Sequence, residues 1–151
     1  MNQSRSGNTP RLLMPRLAYQ DPEAGLRFLC DAFGFTETAR FAHVGSIVHA
    51  EIALNGETVF AVGPVSEHVH SPQTLGGNTV QLFCYVDDVD AHCEQSRSHG
   101  ASITAEPSDQ FWGDRSYDAL DCEGYRWTFR RIVKEVPLDD LLARSREAAG
   151  R

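Results

Sequence analysis

Leu17-Ala-Tyr-Gln-Asp21, a helical stretch, and then Phe33-Gly34-Phe35 decide the reading of this chain, because the same succession occurs twice. The second copy is Phe83-Cys-Tyr-Val-Asp87, a helical stretch, and His99-Gly100-Ala101. Tyr19 aligns with Tyr85, Asp21 with Asp87 and Gly34 with Gly100, with no gap. A unit of about 60 residues cannot bury much core alone, so two such units are expected to share one. A duplicated half-domain is expected to place a pocket where the halves face each other. What lines that pocket becomes the question of function.

Outward from the first copy, Leu12 to Tyr19 reads as a strand, with Pro15 tolerable at an edge. Asp21-Pro22-Glu23 is a helix start, with Asp as N-cap, Pro at the first position and acid in the first turn. Leu26, Leu29, Cys30 and Phe33 keep helical spacing, and Gly34 stops the helix. Strands follow at Thr36–Phe41 and Ser46–Leu54. Asn55-Gly56 then signals a type I′ hairpin leading into Glu57–Val62. Residues 63–78, rich in Gly, Pro and Ser, read as a connecting loop. The second half opens with Thr79–Val86. A helix capped by Asp87 or Asp88 runs to His99, with strands at Ser102–Glu106, Ser116–Asp121 and Tyr125–Ile132. Pro137 begins a C-terminal helix whose apolar face (Leu138, Leu141 and Leu142) needs a surface, its own sheet or a second subunit. The expected organisation is a lead-in at 1–10, one domain over 11–135 and a C-terminal helix over 136–151. The two repeats of that domain span 11–62 and 79–132.

The 151 residues carry a net charge of −7, with a sequence pI near 5.3. This disfavours a nucleic-acid partner, which requires clustered Lys and Arg. Hydrophobic and charged fractions of 41% and 23% are those of an ordinary globular protein. Cys30, Cys84, Cys93 and Cys122 lack CxxC spacing and read as free, mostly buried thiols of a reducing compartment. No apolar run approaches the roughly 18–20 residues of a membrane span, so no membrane partner is expected. Met1 to Pro10 has no apolar signal-peptide core and reads as disordered; the expected location is the cytoplasm. No GxGxxG, P-loop, HExxH or GxSxG pattern occurs.

Two βαβββ units resemble the vicinal oxygen chelate superfamily. Particular segments resemble its PhnB-like glyoxalase/bleomycin-resistance branch: Asp31-Ala-Phe-Gly-Phe35, His49-Ala-Glu-Ile52, Ser71-Pro-Gln-Thr-Leu-Gly-Gly77, Tyr85-Val-Asp-Asp-Val-Asp90, Asp109-Gln-Phe-Trp-Gly-Asp-Arg115 and Asp121-Cys-Glu-Gly-Tyr-Arg-Trp-Thr-Phe129. The resemblance implies an α+β fold in which two modules form a curved mixed sheet around a cleft. It also implies a homodimer. The family holds both enzymes and binding proteins, so fold alone does not settle function.

Metal-dependent members of that superfamily take His, Glu or Gln ligands from four strands. The corresponding positions here are Met14, Gln81, Thr128 and, in the first half, Phe60 or Ala61. Only Gln81 could ligate, and one amide is no divalent site, so no cofactor is expected. His49 and Glu51, spaced i, i+2 on a strand, share one face and are the candidates for a non-standard metal or acid–base site. His68 and His70 have the same spacing but sit in the connecting loop, where solvation is expected.

Alternation places Gln81, Phe83 and Tyr85 on one face, with Leu82, Cys84 and Val86 under the helix. Arg126, Thr128 and Arg130 alternate with core residues Trp127 and Phe129, and Thr128 should share the cavity face with Gln81. The Gln110–Arg115 loop offers Trp112 as an aromatic over a ligand. Arg115 offers a partner for a ligand carboxylate, competing with salt bridges to Asp114 or Glu123. Tyr117 lies on the strand this loop feeds. The expected ligand-binding set is therefore Gln81, Phe83, Tyr85, Trp112, Arg115, Tyr117, Arg126 and Thr128.

The leading expectation is a metal-free, homodimeric protein that sequesters an aromatic or cationic small molecule, a drug or a metabolite. The alternative is a lyase, isomerase or dioxygenase-type enzyme with a non-standard site at His49 and Glu51. A third reading is a partner-binding domain that presents its C-terminal helix.

Overall fold

The computed structural model describes residues 13–150; the expected lead-in at 1–10 lies outside the described residues. In chain order the elements are β1 (Arg16–Tyr19), α1 (Pro22–Phe33), β2 (Thr36–His43), β3 (Ser46–Leu54), β4 (Glu57–Pro64), α2 (Pro72–Leu75), β5 (Gln81–Tyr85), α3 (Val89–Ser98), β6 (Ser102–Asp109), β7 (Asp114–Leu120), β8 (Arg126–Ile132) and α4 (Leu138–Ala149). The duplication is visible in the topology. One four-stranded sheet has the order β1-β4-β3-β2, and the other repeats it as β5-β8-β7-β6. In each, the first and last strands of the half pair in parallel while the remaining neighbours are antiparallel. The fold is α+β, built from two separate mixed sheets.

Local sequence explains the boundaries. The Asp21 carboxylate accepts from Ala24 N at 3.0 Å, and Gly34, at φ 75°, donates to Cys30 O at 3.1 Å. Asp88, not Asp87, caps α3 by accepting from Ala91 N at 3.0 Å. Asn55 and Gly56 both have positive φ (50° and 80°), as a type I′ turn requires. The first strand begins at Arg16, later than expected, because Pro15 has no N–H to give a ladder; its carbonyl still accepts from Ala61 N at 2.8 Å. The connector is not all loop. Ser71 and Thr74 form a reciprocal capping box around the single turn of α2, a pattern hidden by Thr standing where Glu or Gln is usual.

The halves share their core through the faces that carry the helices. Phe33, at the end of α1, packs its ring at a tilt 4.7 Å from Phe129 and 5.5 Å from Trp127, both on β8. Phe35 and Phe60 of the first half lie 5.5 and 5.6 Å from the same indole. Polar side chains lock this seam. Three carbonyls at the C-terminal end of α1 have no partner within their own helix, a normal consequence of helix ends. They accept from α3: Ser96 Oγ to Ala32 O (3.1 Å), His92 Nε2 to Phe33 O (2.9 Å) and Gln95 Nε2 to Asp31 O (3.1 Å). Phe33, Phe35, Phe60 and Trp127 fill the space between the helix-bearing faces, a cavity of about 140 Å³ remains where Arg16 and Leu17 meet Thr79, Val80 and Tyr125, and the opposite face of each sheet is left open.

Candidate functional site: the open face of the second sheet

Period-two alternation sends Leu82, Cys84, Trp127, Phe129, Tyr117 and Ala119 to the core, and their neighbours to the open face. Gln81, Phe83 and Tyr85 lie there on β5, Arg126, Thr128 and Arg130 on β8, and Asp114 and Asp118 on β7. Two connected groups result.

In the first group, Gln81 Nε2 donates to Thr128 Oγ1 at 3.0 Å, and Thr128 donates to Asp118 Oδ1 at 2.6 Å. Arg126 donates to the other Asp118 oxygen at 2.7 Å. Gln81 and Thr128 thus meet as the alternation requires, with Arg126 one residue away through Asp118.

In the second group, the Arg130 guanidinium sits 5.0 Å from the Phe83 ring centroid and 4.8 Å from that of Tyr85. It donates to Tyr85 Oη at 2.7 Å and pairs with Asp114 Oδ2 at 3.3 Å. The same Asp114 oxygen accepts from Trp112 Nε1 at 3.1 Å, and Trp112 stands edge-on to Phe111 at 5.0 Å. Phe83 and Tyr85 are 57% and 52% exposed, and Trp112 is 42% exposed. Three aromatics around one buried carboxylate and one arginine form a platform with cation–π character.

Two members of the expected set are elsewhere. Tyr117 is buried on the core side, where its hydroxyl meets His92 Nδ1 and Ser96 Oγ, each at 2.7 Å. Burial raises its phenol well above the ordinary range and pushes the neighbouring His92 imidazole downward, towards the neutral form. Arg115 leaves the platform by the same parity. Its guanidinium is held by Asp90 of α3 at 2.7 Å and Asp109 at 3.0 Å, and neither Asp114 nor Glu123 is its partner. The cause is the start of β7 at Asp114, which turns Asp114, Ser116 and Asp118 to the open face and Arg115, Tyr117 and Ala119 inward. Arg130 lies where its alternation with Thr128 puts it, whereas Asp114 and Asp118 are the members of this face that motif reading missed. Extending the Arg126–Thr128–Arg130 alternation across the β7–β8 ladder, where Asp118 opposes Thr128, would have found them.

His49 and Glu51 lie on the other sheet. Their side chains approach to 3.7 Å, both partly exposed, with the Phe41 ring 5.9 Å from the imidazole. No hydrogen bond or ion pair among the described residues joins them to the platform.

A divalent ion does not fit the corresponding positions of the fold. Phe60 packs in the core, Ala61 offers no donor, and the oxygens near Gln81 are already engaged with one another. The one carboxylate there, Asp118, has its charge matched by Arg126. No group of three or more His, Cys, Asp and Glu side chains among the described residues could hold an ion. Cysteine nucleophiles are equally unsupported. The four cysteines are free, and burial raises every thiol, Cys84 to about 11 and Cys122 to about 12 with help from Asp121 and Glu123. Unlike the others, Cys122 is exposed. No helix among the described residues is long and apolar enough to cross a membrane.

Fold and open face together define a duplicated βαβββ protein, and the comparisons give it a family. The profile of the Glyoxalase/Bleomycin resistance protein/Dioxygenase superfamily matches residues 11–129, and the chain belongs to that superfamily. It is 31% identical over 141 residues to Mb0911c of Mycobacterium bovis, a match covering 90% of this chain and 93% of that protein. Among solved structures, TioX from Micromonospora sp. ML1 superposes with a TM-score of 0.65 at 32% identity, covering 85% of this chain and 99% of TioX. TnmS3, an antibiotic binding protein from Streptomyces sp. CB03234, shares the fold with a TM-score of 0.60 at 20% identity, covering 80% and 94%.

Proposed function

We propose that this chain is a small-molecule binding protein that receives a planar aromatic compound on the Phe83–Tyr85–Arg130 platform. The observation that carries the reading is the exposure of both rings, 57% and 52%, while the guanidinium between them is held at 5.0 and 4.8 Å. Exposed aromatic area of this kind is costly in water and gains most when covered by another flat, apolar surface. Arg130 supplies a fixed donor for an acceptor atom at the edge of the ligand. Asp114 holds Trp112 by its indole N–H at the margin, where it can close over the bound ring. Binding here uses stacking and hydrogen bonds and calls on no divalent ion.

A single copy leaves this platform as a surface. Cavities of about 210 Å³ beside α4 and about 140 Å³ beside the connector include none of the platform rings in their linings. Both fall below the roughly 300–1,000 Å³ typical of ligand pockets. The cleft is therefore completed in a homodimer, where a second copy covers the open faces. That the fold of TnmS3 serves an antibiotic binding protein supports the reading.

The test is thermal unfolding of the chain with bleomycin and a panel of flat aromatic compounds, because binding to the native state alone raises Tm. Stabilisation that disappears in Phe83→Ala supports the platform. Stabilisation unaffected by Phe83→Ala and Tyr85→Ala moves the site elsewhere. A second reading rests on the 3.7 Å approach of His49 and Glu51, a carboxylate beside an imidazole, which suits acid–base chemistry on the first sheet. Turnover lost in both His49→Gln and Glu51→Gln, with the fold intact, would favour it.

A further inference from the structure

The connector segment from Ser71 to Gly77 takes no part in the aromatic platform, yet it borders a cavity of about 140 Å³ at the seam. Arg16 and Leu17 of β1 meet Val80 and Tyr125 of the second half there, and Pro72 and Leu75 of α2 complete the lining. The walls are fixed by side chains. Tyr125 Oη accepts from Ala18 N at 2.9 Å and donates to Ala18 O at 3.1 Å, which ties β1 to the second half. Gln20 Nε2 donates to Gln73 Oε1 at 2.7 Å and holds α2 beside the end of β1. Asn78 closes the connector by donating to Gly124 O at 2.8 Å and accepting from Arg126 N at 3.2 Å. A cavity with walls held in this way is formed before any ligand arrives.

The chemistry of the lining selects an occupant. Arg16 is its one permanent cation, and no Asp or Glu lines the cavity. The guanidinium lies over Gly63, where any side chain would collide with it. Nη2 donates to Pro64 O at 3.1 Å, and among the described residues Arg16 makes no ion pair. Most of its N–H donors are therefore free, and Arg16 is exposed, so an anion reaches them from solvent. In a chain of net charge −7, an acid-free cavity beside an unpaired guanidinium is a local exception. The planar fork matches the two oxygens of a carboxylate. Leu17, Pro72, Leu75 and Val80 give the rest of the cavity an aliphatic lining, which a bare inorganic anion would leave unused. The volume suits roughly four to six heavy atoms, since a liquid water occupies roughly 30 Å³.

We propose that this seam cavity binds a short-chain aliphatic carboxylate, with its oxygens on Arg16 and its chain against Leu17, Leu75 and Val80. The site is separate from the aromatic platform, and neither rests on the other. Isothermal titration of the full chain with butyrate, its uncharged analogue butyramide and inorganic phosphate tests it. Butyrate binds saturably, and butyramide and phosphate each bind at least about ten-fold more weakly. Arg16→Gln lowers butyrate affinity about ten-fold or more. Leu75, 53% exposed, gives a second variant: Leu75→Glu sets a like charge in the lining and weakens butyrate similarly, whereas Leu75→Gln keeps it. Circular dichroism verifies that each variant is folded. Phe83→Ala leaves butyrate affinity unchanged, whatever it does to aromatic ligands. No saturable butyrate binding, equal binding of butyramide or phosphate, or unchanged affinity in Arg16→Gln and Leu75→Glu would overturn the proposal. Loss of butyrate binding in Phe83→Ala would overturn it too, by placing the anion on the platform.

Discussion

Tyr19 of the first half donates its hydroxyl to Asp121 of the second at 2.7 Å, and both side chains are buried. Trp127 Nε1 reaches the same oxygen at 3.0 Å, while Glu123 N and Tyr125 N, at 3.0 and 2.9 Å, donate to the other. Burial raises the Asp121 carboxyl and the four donors oppose that rise. The repeat is thereby tied across its seam by a carboxylate whose acceptors are all in use. Asp121→Asn aims its amide N–H₂ at existing donors and is expected to cost about 2–4 kcal/mol, against about 1–2 kcal/mol for Tyr19→Phe. Urea unfolding at pH 7 measures both.

Trp127 touches Phe35 and Phe60 of the other half, so the halves should not unfold separately. Trp127→Ala is expected to lose about 3–5 kcal/mol. A single cooperative transition, coincident by far-UV dichroism and fluorescence, should persist in the wild type. Two resolved transitions would show that the halves are independent.

His92 gives the seam a pH dependence of definite sign. Burial lowers its folded-state pKa below the ordinary 6.5. Its contribution is complete above the unfolded pKa and is lost as pH falls through 6.5 towards the folded value, because the unfolded chain takes up the proton first. Between pH 7.5 and 5.5 the Tm of the wild type should fall more than that of His92→Gln. Equal slopes would mean that other groups carry the acid sensitivity.

The oxygens of Gln81, Thr128 and Asp118 are engaged with one another, and Arg126 supplies the local positive charge. Dialysis against Ni, Mn, Fe(II) and Zn in turn, followed by mass-spectrometric metal analysis, should leave well under one ion per chain. About one ion retained and then lost in Glu51→Gln would instead place a metal at the His49–Glu51 pair.

Much of this was legible in the sequence, for identifiable reasons. The helix caps at Asp21 and Gly34 and the Asn55-Gly56 turn are local chemistry, and the structure keeps each of them. The alternation of β5 and β8 located Gln81, Phe83, Tyr85 and Thr128 on one face. Tyr117 and Arg115 lie on the helix side of β7 because its register against β8 sets their parity, which no hydrophobic pattern reveals. The position of the open face was also hidden. It depends on Phe33 meeting Trp127 and Phe129, a contact between residues far apart in the chain.

The most direct test is isothermal titration of the best-stabilising aromatic compound into the wild type and into Phe83→Ala/Tyr85→Ala. Stacking on two rings, each contributing about 0.5–1.5 kcal/mol, predicts a loss of affinity of roughly 10- to 100-fold with the Tm of the unliganded protein nearly unchanged. Equal affinity in the double variant would contradict ligand binding on this face.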